Sequence, residues 1–291
     1  MLALKSPELD LRALTVVNGN CTAAQGTLNA RKILQAAGRC DVTVATGAAR
    51  PLLREPLSGW IGHGPDGLGG FDLPLCERQS HPLNAVRFLI ETLLSAPEPL
   101  TLLPIAPLTN IALALAAAPE IASRIKELII MGGAVFSAGN RSPAAEFNIV
   151  ADPEAARMVF AAGVPITLVG LDVTEQVALR EEHVRRLEAA NNPQAAFVAR
   201  CARYVMPHSL ARYGDSLMHL HDPLAVGVAF DRSLVRTRKL AVDVETETGI
   251  SLGKTLADPW GRWGKAPNVE VCVEVDAERF IGMMLERLCG A

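Results

Sequence analysis

Short apolar runs alternate with helix-length segments along most of this 291-residue chain, and no other feature limits its fold as tightly. "LRALTVV" (11–17), "DVTVAT" (41–46), "LTLLPI" (100–105), "ELIIM" (127–131) and "PITLVGL" (165–171) each read as a strand. Between them, "TAAQGTLNARKILQAAG", "NAVRFLIETLLSA", "LTNIALALAA" and "PEAARMVFAAG" have the length and apolar spacing of helices. The first opens on a Thr22/Gln25 capping pattern and stops at Gly38. Strands that are apolar without interruption are covered on both faces. With the strand–helix order, this predicts an α/β fold, a mostly parallel sheet with helices on both faces. Residues 180–230 read as helical, "RKLAVDVET" and "NVEVCVEVD" as later strands, and "AERFIGMMLERLCG" as a closing amphipathic helix. No linker, repeat or low-complexity stretch intervenes, so one domain over 1–291 is expected.

Charge narrows the function classes. The net charge is −3 with no Lys/Arg block, which argues against nucleic acid or an anionic membrane surface as partner. No apolar run approaches the roughly 18 residues of a membrane span, and the start lacks a signal-peptide pattern, so a cytoplasmic protein is expected. The six cysteines contain no CxxC pair and read as reduced, mostly buried thiols rather than a zinc site or disulfide frame.

Open α/β sheets take ligands at the carboxyl ends of their strands. Asn18 and Asn20 follow the first strand, Ile105 ends the third, Asn140, Glu146 and Asn148 follow the fourth, and Asp172 the fifth. All are expected on one rim. In "GNRSPAAEFNIVADPEAA" (139–156) two amides and a carboxylate stand among small and apolar residues. Turn chemistry is one reading. A ligand rich in hydroxyls is the other, because amides both donate and accept and a carboxylate accepts strongly. "HLHDPLAVGVAF" (219–230) sets His219 and His221 before Asp222-Pro223, the pattern of an Asp N-cap with Pro at the first helical position. Imidazoles and a carboxylate there suit a metal or a leaving group. Asp152-Pro153 repeats the pattern without histidines and reads as structural. "GPDGLGG" (64–70), after His63, neither follows a strand nor opens a helix, so it reads as a flap rather than a dinucleotide site.

Taken together, "TVVNGN", "HGPDGLGG", "PLTNIALAL", "MGGAV", "AEFNIVADPEAA", "VGLDVT" and "HDPLAV" resemble the nucleoside hydrolase family, the inosine-uridine preferring nucleoside N-ribohydrolases, in family order over nearly the whole chain. The resemblance implies a Rossmann-like nucleoside hydrolase fold, a homodimer or homotetramer, and hydrolysis of ribonucleosides to free base and ribose by a water held on Ca²⁺. It implies Asp222 and the Ile105 carbonyl as calcium ligands, and Asn140, Glu146, Asn148 and Met131 around the ribose. Asn20 belongs to the shell of the same site, and His63 and His221 sit near the base, where they help the leaving group. Base contacts fall in loops around 60–80 and 204–221, so purine or pyrimidine preference is not legible.

The resemblance also implies an opening strand and an Asp-x-Asp-x-x-x-Asp-Asp loop that supplies the general base and calcium carboxylates. Here "MLALKSPELDL" reads as the tail of the helix after that loop, and no Asp cluster of that spacing occurs. Two expectations stand side by side. Either the native chain continues upstream of Met1, or this is a shortened, catalytically inactive paralogue that binds ribose or assembles with other subunits. If the shortened chain is active, Asp10 and Asp66 are the acids nearest in sequence to take over.

Overall fold

In the computed structural model, which describes residues 1–57 and 61–290, the chain alternates strand and helix from β1 (Ala13–Val16) onward. The expected base loop at 60–80 therefore begins, at residue 60, outside the described residues. α1 (Ala23–Ala37) joins β1 to β2 (Thr43–Thr46), and these two strands pair in parallel as a sheet of their own. Then follow α2 (Ala85–Ser95), β3 (Leu100–Leu102), α3 (Thr109–Ala117), β4 (Ile125–Met131), α4 (Phe147–Ala151), α5 (Pro153–Phe160), β5 (Ile166–Val169) and α6 (Leu171–Thr174). The chain continues through β6 (Ala178–Leu179), α7 (Glu181–Ala189), α8 (Pro193–Tyr213), β7 (Met218–His219) and α9 (His221–Phe230). It closes with β8 (Val235–Val244), β9 (Thr255–Asp258), β10 (Val269–Val275) and α10 (Ala277–Cys289). The main sheet has the order β3-β4-β5-β10-β8-β9, parallel as far as β10 and antiparallel beyond it. It is a mixed sheet with helices on both sides.

β4 shows why the layers form. Its side chains alternate between faces, and both faces are apolar. Ile129 and Met131 enter one cluster with Val169, Leu187, Leu224 and Phe280. Leu128 and Ile130 enter another with Ile149, Val159, Leu168 and Val271. A third, small cluster of Leu34, Val42, Val44 and Cys76 lies beneath α1.

The structure departs from the sequence reading at four places. β3 ends at Leu102, because Pro104 brings no N–H to a ladder. Its carbonyl instead accepts from Met131 N–H at 2.9 Å, leaving Ile105 in a loop. The sheet is split: among the described residues β1 and β3 are each hydrogen-bonded along one edge only. Residues 180–230 are not continuous helix, since Gly214, at φ 75°, ends α8 and β7 precedes α9. Cys40 and Cys76, expected as thiols, form a disulfide with Cα atoms 5.6 Å apart. Spacing conceals this pair, because the fold rather than the local sequence brings them together.

Candidate active site

A cavity of about 750 Å³ opens among the loops that follow β1, β3 and β4 and the start of α9. Asn20, His63, Ile105, Met131, Asn140, Glu146, Asn148, His221 and Asp222 all line it. Asn18 and Asp172, expected on the same rim, do not. Asn18 donates its N–H to the Ala48 carbonyl at 2.9 Å. Asp172 accepts from the N–H groups of Val135, Phe136 and Ser137 at 2.9, 2.6 and 3.0 Å, so its work is to shape the loop after β4. Asp66 is likewise occupied by the N–H groups of Leu68 and Gly70, and Asp10 pairs with Arg12 in solvent. Neither acid lines the cavity.

The segment at 139–156 satisfies both readings of its polar residues at once. Glu146 is the N-cap of α4: one oxygen accepts from Asn148 N–H at 2.9 Å, the other from Gly133 N–H at 3.0 Å and Ile149 N–H at 3.1 Å. Burial raises its carboxyl above the usual range, and these N–H groups pull the other way. Asn148 donates through Nδ2 to the Met131 carbonyl at 3.1 Å, which ties α4 to the end of β4. Asn140 Oδ1 accepts from Phe147 N–H at 2.9 Å, while its carbonyl accepts from Arg212. Turn and cap chemistry thus holds in place the side chains that line the cavity.

On the opposite wall, α9 begins two residues earlier than the Asp-Pro pattern suggests. Its cap position is Leu220, so Asp222 sits inside the first turn rather than at the N-cap. Asp222 makes no hydrogen bond among the described residues, and desolvation, with the charge of Glu146, holds its carboxyl up at about 7. His221 Nδ1 lies 2.7 Å from Thr174 Oγ1. Burial first, then the neighbouring His219 and His63, push its ring down to about 3, so it is neutral at pH 7. When the Thr174 hydroxyl donates to Nδ1, Nε2 keeps its hydrogen and can donate to a ligand. Burial also lowers His63.

The 204–221 segment, expected as a base-contact loop, is helix as far as Tyr213. From that range α8 gives the cavity Tyr204, Val205, Ser209, Arg212 and Tyr213, together with Phe197 and Cys201, which sequence reasoning missed, at helical spacing. Phe71 meets Tyr204 edge-on at 6.0 Å and carries the Arg200 guanidinium 3.9 Å above its ring. The flap at 64–70 behaves as expected, contributing Gly67, Leu68 and Gly69 to the lining.

Calcium takes six to eight oxygen ligands, with affinity following the number of charged ones. No three His, Cys, Asp or Glu side chains form a metal cluster among the described residues. Of the expected calcium ligands, Asp222, Ile105 and Asn20 line this part of the cavity, and Asp222 is the one carboxylate among them. This set does not fit a closed calcium shell.

The sequence model described as inosine-uridine preferring nucleoside hydrolase matches residues 1–282. A pyrimidine-specific ribonucleoside hydrolase RihA from Shewanella sp. (strain MR-7) is 39% identical over 289 residues, spanning 99% of this chain and 91% of the relative. RihA of Escherichia coli O8 is 38% identical, over 99% of this chain and 93% of that protein. Among solved structures, the plant nucleoside hydrolase PpNRh1 superposes with a TM-score of 0.94 at 35% identity, covering 100% of this chain and 94% of that one. A purine-preferring ribonucleoside hydrolase from Gardnerella vaginalis gives 0.93 at 33%, over 99% and 93%.

Proposed function

This chain belongs to the inosine-uridine preferring nucleoside hydrolase family, a family of enzymes, and from that premise we propose that its cavity binds a ribonucleoside and cleaves the N-glycosidic bond with water. The observation that carries the reading is the convergence on one cavity of side chains spread from Asn20 to Asp222. The Asn140, Asn148 and Asn20 amides suit ribose hydroxyls, which also donate and accept. As the C–N bond breaks, its electron pair leaves with the base and positive charge grows on the sugar, beside the Glu146 carboxyl. His221 and His63 meet the base as hydrogen-bond donors. Calcium, held by Asp222 and the Ile105 carbonyl, belongs to this reading, but the donors present do not complete its shell, and no step here is routed through it.

The 39% identity to pyrimidine-specific RihA, against 33% to the purine-preferring structure, ranks pyrimidine nucleosides first. The exposed Trp260, Trp263 and Ile250 support a homodimer or homotetramer. No described helix is long and apolar enough to cross a membrane. A cytoplasmic site of action, in nucleoside salvage, completes the reading.

A second reading, ribose binding without turnover, is favoured by one observation. Only two carboxylate side chains line the cavity among the described residues: Glu146 already accepts from three N–H groups, and Asp222 accepts from none. Base release from uridine, cytidine and inosine, with calcium or chelator, separates the two, alongside calorimetry with ribose. Under the first reading Asn148→Ala costs about 2–4 kcal/mol in transition-state stabilisation, roughly 30- to 1,000-fold in kcat/KM. Ribose binding without base release supports the second. Binding of neither nucleoside nor ribose sinks both.

A further inference from the structure

His219 lines the cavity but has no part in the function proposed above. It lies in β7 opposite Ala178 of β6, and the next N–H along the chain, that of Leu220, donates to the Val177 carbonyl at 2.9 Å. The backbone just before His221 is therefore pinned. The two imidazoles stack, with ring centroids 5.3 Å apart and planes 28° apart. Tyr213 meets His219 edge-on at 5.9 Å and 87°.

The hydrogen bond between Thr174 and His221 Nδ1 fixes one nitrogen of His221 but not its plane, because the last torsion of a histidine is broad. A flat ring against its face removes that remaining freedom. We propose that His219 is a positioning residue: its ring is the plate that, together with Thr174, fixes the plane in which His221 presents Nε2 to the leaving base. His219 Nδ1 is buried without a partner among the described residues, so no protein contact at that nitrogen is needed for the ring to lie against His221. The effect on turnover rests on the nucleoside-hydrolysis reading; the clamp on His221 does not.

The test compares His219→Ala, which removes the plate, with His219→Phe, which keeps a flat ring and no nitrogen. kcat should fall roughly tenfold or more in the alanine variant with KM within about twofold, and the phenylalanine variant should recover to within about threefold of the parent. A structural readout needs no turnover. The ring ¹H–¹³C signal of His221, assigned by its loss in His221→Gln, should be single and sharp in the parent and His219→Phe, but shifted and broadened in His219→Ala. If the alanine variant does not fold, His219→Leu, similar in bulk but not planar, takes its place. An unchanged His221 signal in the non-planar variant would overturn the proposal. So would a phenylalanine variant as impaired as alanine. Absence of hydrolysis in the parent chain would count against the functional reading alone, with the ring signal still deciding the clamp.

Discussion

Replacing Glu146 by Gln exchanges one carboxylate oxygen for an amide nitrogen in a pocket of three N–H donors. With Glu146 only 2% exposed, solvent has little access to relieve a mismatch. If the new nitrogen takes the position that meets Gly133 and Ile149, two donors lose their acceptor; the better arrangement turns it toward Asn148, so that one donor faces another. One buried N–H without a partner costs about 1–3 kcal/mol. The remaining two bonds lose their charge assistance, roughly half their strength. Relief of the desolvated charge offsets part of this, which leaves a loss of about 2–4 kcal/mol. The apparently shape-preserving substitution therefore loosens the cap of α4, and with it Asn148. Ligand-free urea denaturation of parent and variant measures the difference. A midpoint and slope indistinguishable from the parent would refute the capping argument and leave Glu146 a purely functional residue.

Asp152→Ala removes more than an N-cap, because the carboxylate also accepts from Leu52 N–H and the Thr109 hydroxyl in a fully buried setting. Its expected cost is about 3–5 kcal/mol by denaturation, with kcat/KM unchanged in whatever fraction stays folded. Cys40→Ser or Cys76→Ser opens a disulfide whose ends are 36 residues apart, a loss of about 4 kcal/mol that reductant should reproduce in the parent. Asp222 has a folded value near 7, above its ordinary value, so the folded state holds its proton more tightly than the unfolded chain. That contribution is full below pH ~4 and is lost as pH rises through about 7, an effect on the order of 4 kcal/mol. Metal-free stability measured from pH 4 to 8 should fall accordingly and flatten in Asp222→Asn; matching profiles would sink the assignment.

The positions around the cavity were legible because strand ends and short motifs carry them: Asn20 after β1, the 139–156 segment after β4, and Asp222 beside His221. Their supporting bonds were not. Thr174 reaches His221 only through the packing of α6 against α9, which no local pattern records. The 204–221 segment was legible as part of the site but not as the end of a helix. Phe197 and Cys201, two turns and one turn earlier on α8, were hidden because they share a helical face with it but no chemistry. Asp222 was misplaced by the assumption that Asp before Pro must cap, whereas α9 starts two residues earlier. The apolar runs announced the strands. They could not announce that Pro104 would cut β3 short, or that β1 and β2 would stand apart as their own sheet.

That separate pair has a consequence for motion. Two strands alone are marginally stable in water, and the apolar cluster under β1 and β2 is much smaller than those on either side of β4. Its ties to the rest include the Asn110 bridge to Val16 and Ala48, while the disulfide secures Cys76 to the end of α1. Sub-global opening should begin there, with the amides of β1 and β2 exchanging with deuterium orders of magnitude faster than those of β4 and β5. Asn20 rides on this softer layer and the Glu146–Asn148 cap on the harder one. The cavity therefore spans two units that breathe on different clocks.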